Sequence, residues 1–555
     1  MKKSNIYLSC ALALSGFAFT GCLDLDQEPK SNIVTEEQKQ EVIKGDPSMA
    51  AASVATIPSM VTAYVNNWSV HIDYGYPSIM ISTDTRGMDM PSALGNYQQY
   101  QPALEMSDFN GRYYLNLEFW YTFYNLIRSA NAVLANVQPT EPLTKYFCGQ
   151  ALAFRSWAYL NLAQMYQFTY AKNPSAPTVP IVTEKNMEEA ASAGCPRATA
   201  EQLYSQIITD LTSAIQYLTE ADEEGYNRES QAEPAIVKTF VNVAVCYGLR
   251  ARANLYKGLS NEDYQNAASD AAEAIRLAEA AGAVPYSRAD LAAPQFYNIA
   301  DNSWLWGMYS DPSQSQFRGV VNFASFMTGW TVNGYAAAGF YRCCNKALYD
   351  KIPATDVRKG WWLDGDAKAP SALPSQYVNY INNAEANGMA PFQPYAQLKY
   401  GAVDGDPSTN SGAIDMPLMR IEELKLIEAE ALGHANPSEG AAKLQSLIKT
   451  YRDNEYVCNA NSWEALRDEV WFQRRVELWG EGFSYYDMMR FQKPLDRRGG
   501  GYNSAVVFNI EPTNTVLLYD IPQSEVQRNP QIGTNTNGSV IPSPVADEGT
   551  PSWAN

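Results

Sequence analysis

Apolar residues return every third or fourth position over much of the chain, and the interruptions mark its seams. In "LNLEFWYTFYNLIRSANAVLANV", Trp120, Phe123, Ile127, Ala130, Leu134 and Val137 share one face, which predicts a long amphipathic helix. "GQALAFRSWAYLNLAQMYQF" predicts a second, and the two prolines of "APTVPIV" break the pattern after it. A third opens at Thr199, with Gln202 at capping-box spacing, and carries Leu203, Ile207, Leu211, Ala214 and Leu218. Two more follow in succession. "FVNVAVCYGLRARANLYKGL" passes through a short turn into "NEDYQNAASDAAEAIRLAEAAG", where Tyr264, Ala268, Ala271, Ile275 and Ala278 form a stripe of mostly small residues. Alanine at such positions permits close helix packing.

Leu255-Tyr256-x-Gly258 ahead of Tyr264 resembles the tetratricopeptide (TPR) pattern of stacked helix pairs. The repeat does not tile at constant period, and ordinary antiparallel packing accounts for this pair equally well. Either reading makes residues 46–282 a helical scaffold. From about 283 to 397 the character changes. Gly, Pro, Ser, Asn and aromatics dominate, with short strand-like runs such as "SWLWGMY" and "GVVNF". A compact protein rarely carries so much irregular chain without a use for it. Helices return over 398–532, in "PLMRIEELKLIEAEALG", "EGAAKLQSLIKTYR" and "SWEALRDEVWFQRRVELWGEG", and the polar tail 533–555 is expected to be mobile.

Composition narrows the partners. A net charge of −19 argues against nucleic acid and against anionic membrane surfaces. Tyr outnumbers Phe, 36 to 19, and a side chain with an apolar face and a polar tip suits a recognition surface. Beyond Cys22, Cys148, Cys195, Cys246, Cys343, Cys344 and Cys458 are scattered without C-x-x-C spacing, so neither zinc nor a dense disulfide framework is indicated. The adjacent Cys343 and Cys344 leave two readings open, a strained vicinal disulfide or two neighbouring thiols.

The first residues have the layout of a secretory leader: Lys2 and Lys3, an uncharged stretch from Ile6 to Phe19, then small residues. Thr20-Gly21-Cys22 resembles a bacterial lipobox, with Phe19 where Leu is usual. Residues 1–21 then form a signal peptide, and Cys22 is lipidated on sulfur at the start of a polar, acidic tether over 22–45. An uncleaved anchor helix is the competing reading, but the run is barely long enough and is diluted by Ser, Gly and Thr. Two or more acyl chains on Cys22 would hold stably where one would not.

Catalytic chemistry is mostly missing. The two histidines, His71 and His434, are far apart, and there is no H-E-x-x-H, G-x-S-x-G or phosphate-binding loop. No cofactor is indicated. "DGDPSTNSGAID" is acidic but lacks EF-hand spacing, which leaves structural calcium as a minor reading. Glu422, Glu423, Glu428 and Glu430, or Glu477 and Glu481, offer carboxylate pairs to a glycosidase. At helical spacing such acids are usually solvated or paired with Arg420, Arg474 or Arg475. The chain is therefore expected not to be an enzyme.

A family resemblance appears in the last third. "RRVELWGEGFSYYDMMRF" resembles the R-R-x-E-L-x-x-E-G-x-R-x-x-D-L-x-R signature of SusD/RagB-type outer-membrane lipoproteins. "PLMRIEELKLIEAEAL" resembles the helix that precedes it, and "IPQSEVQRNPQI" the closing I-P-x-x-E-x-x-x-N-P segment. Phe119-Trp120 with Asn131, the Gly149 to Tyr166 helix, and Asp356-x-Arg358 are further matches. Ser484 departs from the usual Arg, so a local salt bridge is expected to be absent. Glu477, Glu481, Asp487 and Arg490 recur at helical spacing and read as locks between the last helices and the repeats.

The resemblance implies a mainly α fold, one SusD-like body over 46–555 with TPR-like helix pairs and a large loop-rich ligand face. It further implies a lipid-anchored protein of the outer membrane, facing outward, with Asp24, Asp26 and Glu28 resembling a surface-export signal. Its partners would be an oligosaccharide or polysaccharide and a SusC-like TonB-dependent transporter. Sugar rings have apolar C–H faces and hydroxyl rims, so their sites combine aromatic platforms with amides, carboxylates and guanidinium groups. By the resemblance, ligand residues come from "STDTRGMDMPSALGNYQQYQ" and "FMTGWTVNGYAAAGFYR". Tyr97, Tyr100, Trp330 and Tyr335 are the expected platforms, and Asp84, Arg86, Gln98 and Asn333 their polar partners. Trp361 and Trp362, beside Asp356 and Arg358, read more like core. Peptide capture and surface hydrolysis are the alternative functions.

Overall fold

The computed structural model describes residues 41–43, 45–63, 70–226, 237–533 and 537–554. The leader, Cys22 and most of the 22–45 tether lie outside the described residues. Ten helices carry the architecture as it bears on the site: α1 (Tyr76–Arg86), α2 (Tyr114–Asn136), α3 (Pro142–Met165), α4 (Ala200–Glu223), α5 (Val243–Lys257), α6 (Asn261–Ala280), α7 (Ile421–Ala435), α8 (Pro437–Tyr451), α9 (Trp463–Glu477) and α10 (Ser484–Arg490). From α2 to α8 each packs on its predecessor, α6 against α7 across the whole irregular insertion, and α9 returns onto α7. This is the stacked helix-pair scaffold, and the fold is mainly α.

Local chemistry sets the helix ends. Thr199 and Gln202 form the expected reciprocal box, with Gln202 N–H donating to Thr199 Oγ1 at 3.2 Å and Thr199 N–H to Gln202 Oε1 at 2.9 Å. Gly258 ends α5 with φ +44°, and a Cβ there would lie 2.7 Å from the Leu255 carbonyl and 3.2 Å from the Tyr264 hydroxyl. The Gly and the Tyr of the TPR-like motif thus meet at one turn. Farther along, α7 and α8 close tightly because Gly440 faces Gly433, where a Cβ would sit 2.6 Å from the opposing Cα.

The insertion is fastened at its base by β3 (Trp304–Met308) and β4 (Met416–Arg420), paired antiparallel, with Trp304 opposite Arg420 and Met308 opposite Met416. "SWLWGMY" therefore supplies the predicted strand, whereas "GVVNF" bends into the short helix Phe323–Met327. The other two-stranded ladders, β1 (Pro177–Pro180) with β2 (Arg197–Thr199) and β5 (Leu495–Asp496) with β6 (Asn509–Ile510), are small. Although irregular, the insertion has its own apolar core, in which Trp330 meets Tyr341, Leu363, Tyr377, Phe392 and Leu398. Burial of this kind is what allows so much non-repetitive chain to hold one shape.

The C-terminal signature folds into a buried charge lattice. Glu477 accepts from Arg452 Nε at 2.7 Å, Arg420 Nη1 at 3.1 Å and Arg358 Nη1 at 3.3 Å. Glu481 accepts from Arg420 Nη2 at 2.8 Å and Lys399 Nζ at 2.7 Å, and Glu422 from Arg452 Nη2 at 2.9 Å. Burial pushes the Lys399 ammonium down to about 8, against the pull of Glu481. A second group links Arg474 to Asp487 at 2.7 Å, Asp487 to Arg490, and Arg490 to Glu430 on α7. The four residues read as locks are indeed interior ion pairs.

At Ser484 no salt bridge is needed. Its hydroxyl donates to Asp89, which also receives Arg475 Nη2 at 2.5 Å. Trp361 and Trp362 are core, beside the Asp356–Arg358 pair at 2.6 Å. Cys343 and Cys344 are buried free thiols.

The mobile tail is corrected by the structure over 537–554. Val545 N–H donates to the Val507 carbonyl at 2.9 Å, and Trp553 is buried, its ring 3.8 Å from the Arg475 guanidinium and its Nε1 donating to the Asp496 carbonyl at 3.0 Å.

Candidate functional site

Two segments distant in sequence are brought edge to edge. The loop after α1 and the chain after the Phe323–Met327 helix run together where Cys343 N–H donates to the Pro91 carbonyl at 3.0 Å and Asn345 N–H to the Asp89 carbonyl at 3.1 Å. Ser92 Oγ adds a bond to the Phe340 carbonyl at 3.3 Å, and the Phe340 ring lies over Gly95. Between the segments lies Arg342, 1 % exposed. It donates through Nη2 to Gln98 Oε1 and through Nε to the Phe326 carbonyl, both at 3.2 Å, and stands 5.1 Å from the Tyr100 ring centroid. No carboxylate pairs with it among the described residues, its Nη1 has no partner there, and burial pushes it down to about 10. A lone buried guanidinium is costly. Here it pins one loop to the other.

From this seam an aromatic column rises toward the surface. Tyr74 stacks on Phe326 at 5.7 Å and Phe326 on Tyr335 at 4.4 Å, with interplanar angles of 9° and 7°. Tyr100 closes the base, sharing a 2.6 Å hydrogen bond with Tyr74 and a 2.9 Å bond with Ser78. Tyr335 caps the column at 9 % exposure, hydrogen-bonded to the exposed His71. Burial pushes the Tyr335 hydroxyl up, and the Tyr97 hydroxyl adds to the shift. Tyr97 itself is 66 % exposed and Asn333 is exposed beside the column. The result is a patch of aromatic faces, an imidazole and an amide on a firm base, suited to a hydroxylated ring.

Of the expected ligand residues, Tyr97 and Asn333 are exposed on the two segments that meet at this seam, and Tyr335 caps the column. Gln98 is buried beneath them, donating to Ser92 Oγ at 2.8 Å and the Ala93 carbonyl at 3.0 Å, and it shapes the loop. The other four are corrected by burial. Tyr100 is the fully buried base of the column. Trp330, 1 % exposed, donates its Nε1 to the Tyr400 carbonyl at 2.8 Å inside the second core. Asp84 lies within α1, accepts from Gly482 N–H at 3.0 Å, and is pushed up to about 7 by burial. Arg86 pairs with Asp108 and donates to Tyr485 at 3.1 Å, binding the start of the body to its closing segment. Each stands in a motif-bearing segment, but a helix or core position turns it inward.

His71, Phe340 and Arg342 were not anticipated. The rarity of histidine in this chain was the one available signal for His71; nothing local distinguishes Arg342 from a surface arginine. In the acidic run, Asp406 accepts from Ser408 N–H at 2.9 Å and Asp415 from Ile299 N–H at 2.9 Å, so these carboxylates are used internally. Among the described residues no group of three His, Cys, Asp or Glu is placed to hold a metal.

With this geometry in hand, likeness to known proteins is informative. Residues 45–237 match a family model described as starch-binding, associating with the outer membrane, and residues 372–537 match the SusD family model. A SusD-like protein of Formosa agariphila is 20 % identical over 415 residues, 68 % of this chain and 73 % of its own. A SusD-like carbohydrate-binding protein of Bacteroides vulgatus superposes with a TM-score of 0.68 at 22 % identity, over 87 % of this chain and 97 % of that one. A SusD-superfamily protein of Bacteroides thetaiotaomicron gives 0.67 at 20 % identity, over 88 % and 99 %. A laminarin-binding SusD-like protein gives 0.59 at 18 % identity, over 88 % and 99 %. No helix among the described residues is long and apolar enough to cross a membrane. Two family models in the expected order, a shared fold along nearly the whole body and the buried signature lattice agree: the chain belongs to the SusD/RagB family.

Proposed function

We propose that this chain is a non-catalytic, outward-facing lipoprotein of the outer membrane that captures oligosaccharides or polysaccharides and passes them to a partner TonB-dependent transporter. Cys22 would carry the lipid, and the 22–45 segment would span the gap to the body. What supports the glycan reading is that the exposed Tyr97 and Asn333 stand on the two segments that meet at the seam, with the exposed His71 hydrogen-bonded to Tyr335. Aromatic faces supply stacking area and the polar tips supply directional bonds, the combination a sugar ring requires. A protein of the same fold is described as laminarin-binding, which makes laminarin a natural first probe.

A binding role fits the disposition of the acids as well. Glu422, Glu477 and Glu481, the pairs a hydrolase would need, are buried and held by Arg420, Arg452 and Lys399. Engagement of these three carboxylates by buried cations supports binding over hydrolysis at them. The test is calorimetric titration of the mature protein with laminarin, starch, xylan, mannan and a peptide library, with product analysis of the same samples. Saturable binding of a glycan without cleavage is expected. Binding to peptides alone would transfer the site to a peptide importer, and glycan turnover by the purified protein would overturn the non-catalytic reading. Palmitate incorporation that disappears in Cys22→Ser checks the anchor.

A further inference from the structure

A second aromatic surface lies beside the first, on residues outside the predicted site. Tyr113 is the N-cap of α2 and Tyr114 its first residue. Their rings are 4.8 Å apart at 36°, and both are half-buried against the core with one side open. Adjacent tyrosines at a helix start would ordinarily diverge, because successive helical positions are about 100° apart. Here Tyr113 has extended backbone, which folds its ring back beside that of Tyr114.

The pair is tied to the Tyr97 loop and carries a polar rim. Tyr114 Oη donates to the Gln99 carbonyl at 3.3 Å, two residues beyond Tyr97. Burial pushes up the Tyr113 hydroxyl, hydrogen bonding with Tyr114 lowers it, and the Glu105 charge raises it again. Gln101 Nε2 donates to Glu105 Oε1 at 2.6 Å and completes the rim. The neighbouring Arg112 is turned away, with Nε on Gln523 Oε1 at 3.0 Å. Two ring faces, two phenolic hydroxyls, an amide and a carboxylate acceptor make a surface suited to a sugar ring.

The geometry points to a second glycan subsite at Tyr113 and Tyr114, continuous with the Tyr97–Tyr335 platform and selective for neutral sugar rings. The inference rests on the glycan reading above. Its content is that the ligand is a chain long enough to lie on both platforms, with sugar hydroxyls donating to Glu105. An acidic sugar would be repelled by the Glu105 charge.

The test uses the mature protein with laminarin, starch, xylan and mannan, each with its oligosaccharides of graded length. For whichever glycan binds, wild-type affinity should rise with length beyond what one platform can hold. Tyr113→Ala should remove that added gain, weakening long chains roughly tenfold while leaving the shortest binders unchanged. Tyr97→Ala should weaken every length. Glu105→Gln should relax the discrimination against carboxylated oligosaccharides. Thermal melts of each variant separate site loss from unfolding, and Tyr114→Phe, which keeps the ring, should retain most of the length effect. If a glycan binds and Tyr113→Ala leaves both affinity and length dependence untouched, the subsite is wrong and the glycan reading stands. If no glycan binds the wild type, both fall together.

Discussion

The charge lattice at the end of α9 and the aromatic patch at the loop seam handle polarity in opposite ways. Glu477 and Glu481 are buried with Arg358, Arg420, Arg452 and Lys399, and each carboxylate is answered by more than one cation. Tyr97, Asn333 and His71 face solvent, and the column beneath them ends in a single hydrogen bond to His71. In the lattice, Glu477 and Glu481 are each held by several cations, so one substitution leaves an uncompensated charge in low dielectric. The lattice is therefore expected to be sensitive to substitution and the exposed side chains of the patch tolerant of it.

Glu477→Gln is the harshest test of that contrast. Burial opposes the charge, yet Arg452, Arg420 and Arg358 outweigh it and hold the Glu477 carboxyl well below its ordinary 4.5. A folded-state pKa lowered in this way contributes stability above the unfolded value, and the contribution is lost as pH falls through the folded one. Wild-type melting temperature should therefore drop from pH 4.5 downward. The variant should begin about 3–5 kcal/mol less stable at neutral pH and show a shallower acid limb. Equal stability of the two proteins at neutral pH would mean the lattice does not hold the C-terminal helices in place.

Trp330→Ala asks whether the insertion belongs to the scaffold or to the site. Trp330 packs on Tyr377 at 4.9 Å and Phe392 at 5.6 Å and is hydrogen-bonded at Nε1, so truncation opens a cavity in the second core. A loss of about 3 kcal/mol or more is expected in denaturant melts, with glycan affinity of the remaining folded protein changed only through the loop that follows. Undiminished stability with abolished binding would return Trp330 to the ligand surface.

The same contrast explains what could be read in advance. Helix periodicity and capping at Thr199–Gln202 are local, and they reappear in place. The signature charges were legible as locks because helical spacing brings Glu477, Glu481, Asp487 and Arg490 to neighbouring turns. The site was legible as two segments but not as side chains. Tyr97 and Tyr100 stand three residues apart in one loop, yet one is exposed and the other fully buried, because Tyr100 meets Tyr74 and Ser78 from before and within α1. Trp330 and Tyr335 divide likewise between the second core and the column. No periodicity governs a loop, so its inward and outward positions are set by distant partners such as Phe326 and Tyr400. Arg342 is the extreme case, since its role exists only once the two segments meet.

Tyr97→Ala should have the smallest effect on the fold and a selective effect on binding. Its side chain is two-thirds in solvent and has no hydrogen bond or ring contact among the described residues, so stability should stay within about 0.5 kcal/mol of wild type. The loop that carries it is held independently by Gln98 and Arg342. Glycan affinity should fall roughly tenfold, the loss of one stacking face. Paired melts and titrations decide the matter, because a structural side chain would move both readouts together. If Tyr97→Ala lowered the melting temperature as far as Trp330→Ala does, the patch would be part of the scaffold, and the separation between a fixed body and a variable ligand face would not hold. If it left both unchanged, the ligand surface would have to be sought away from the loop seam, beginning with the half-buried tyrosines at the start of α2.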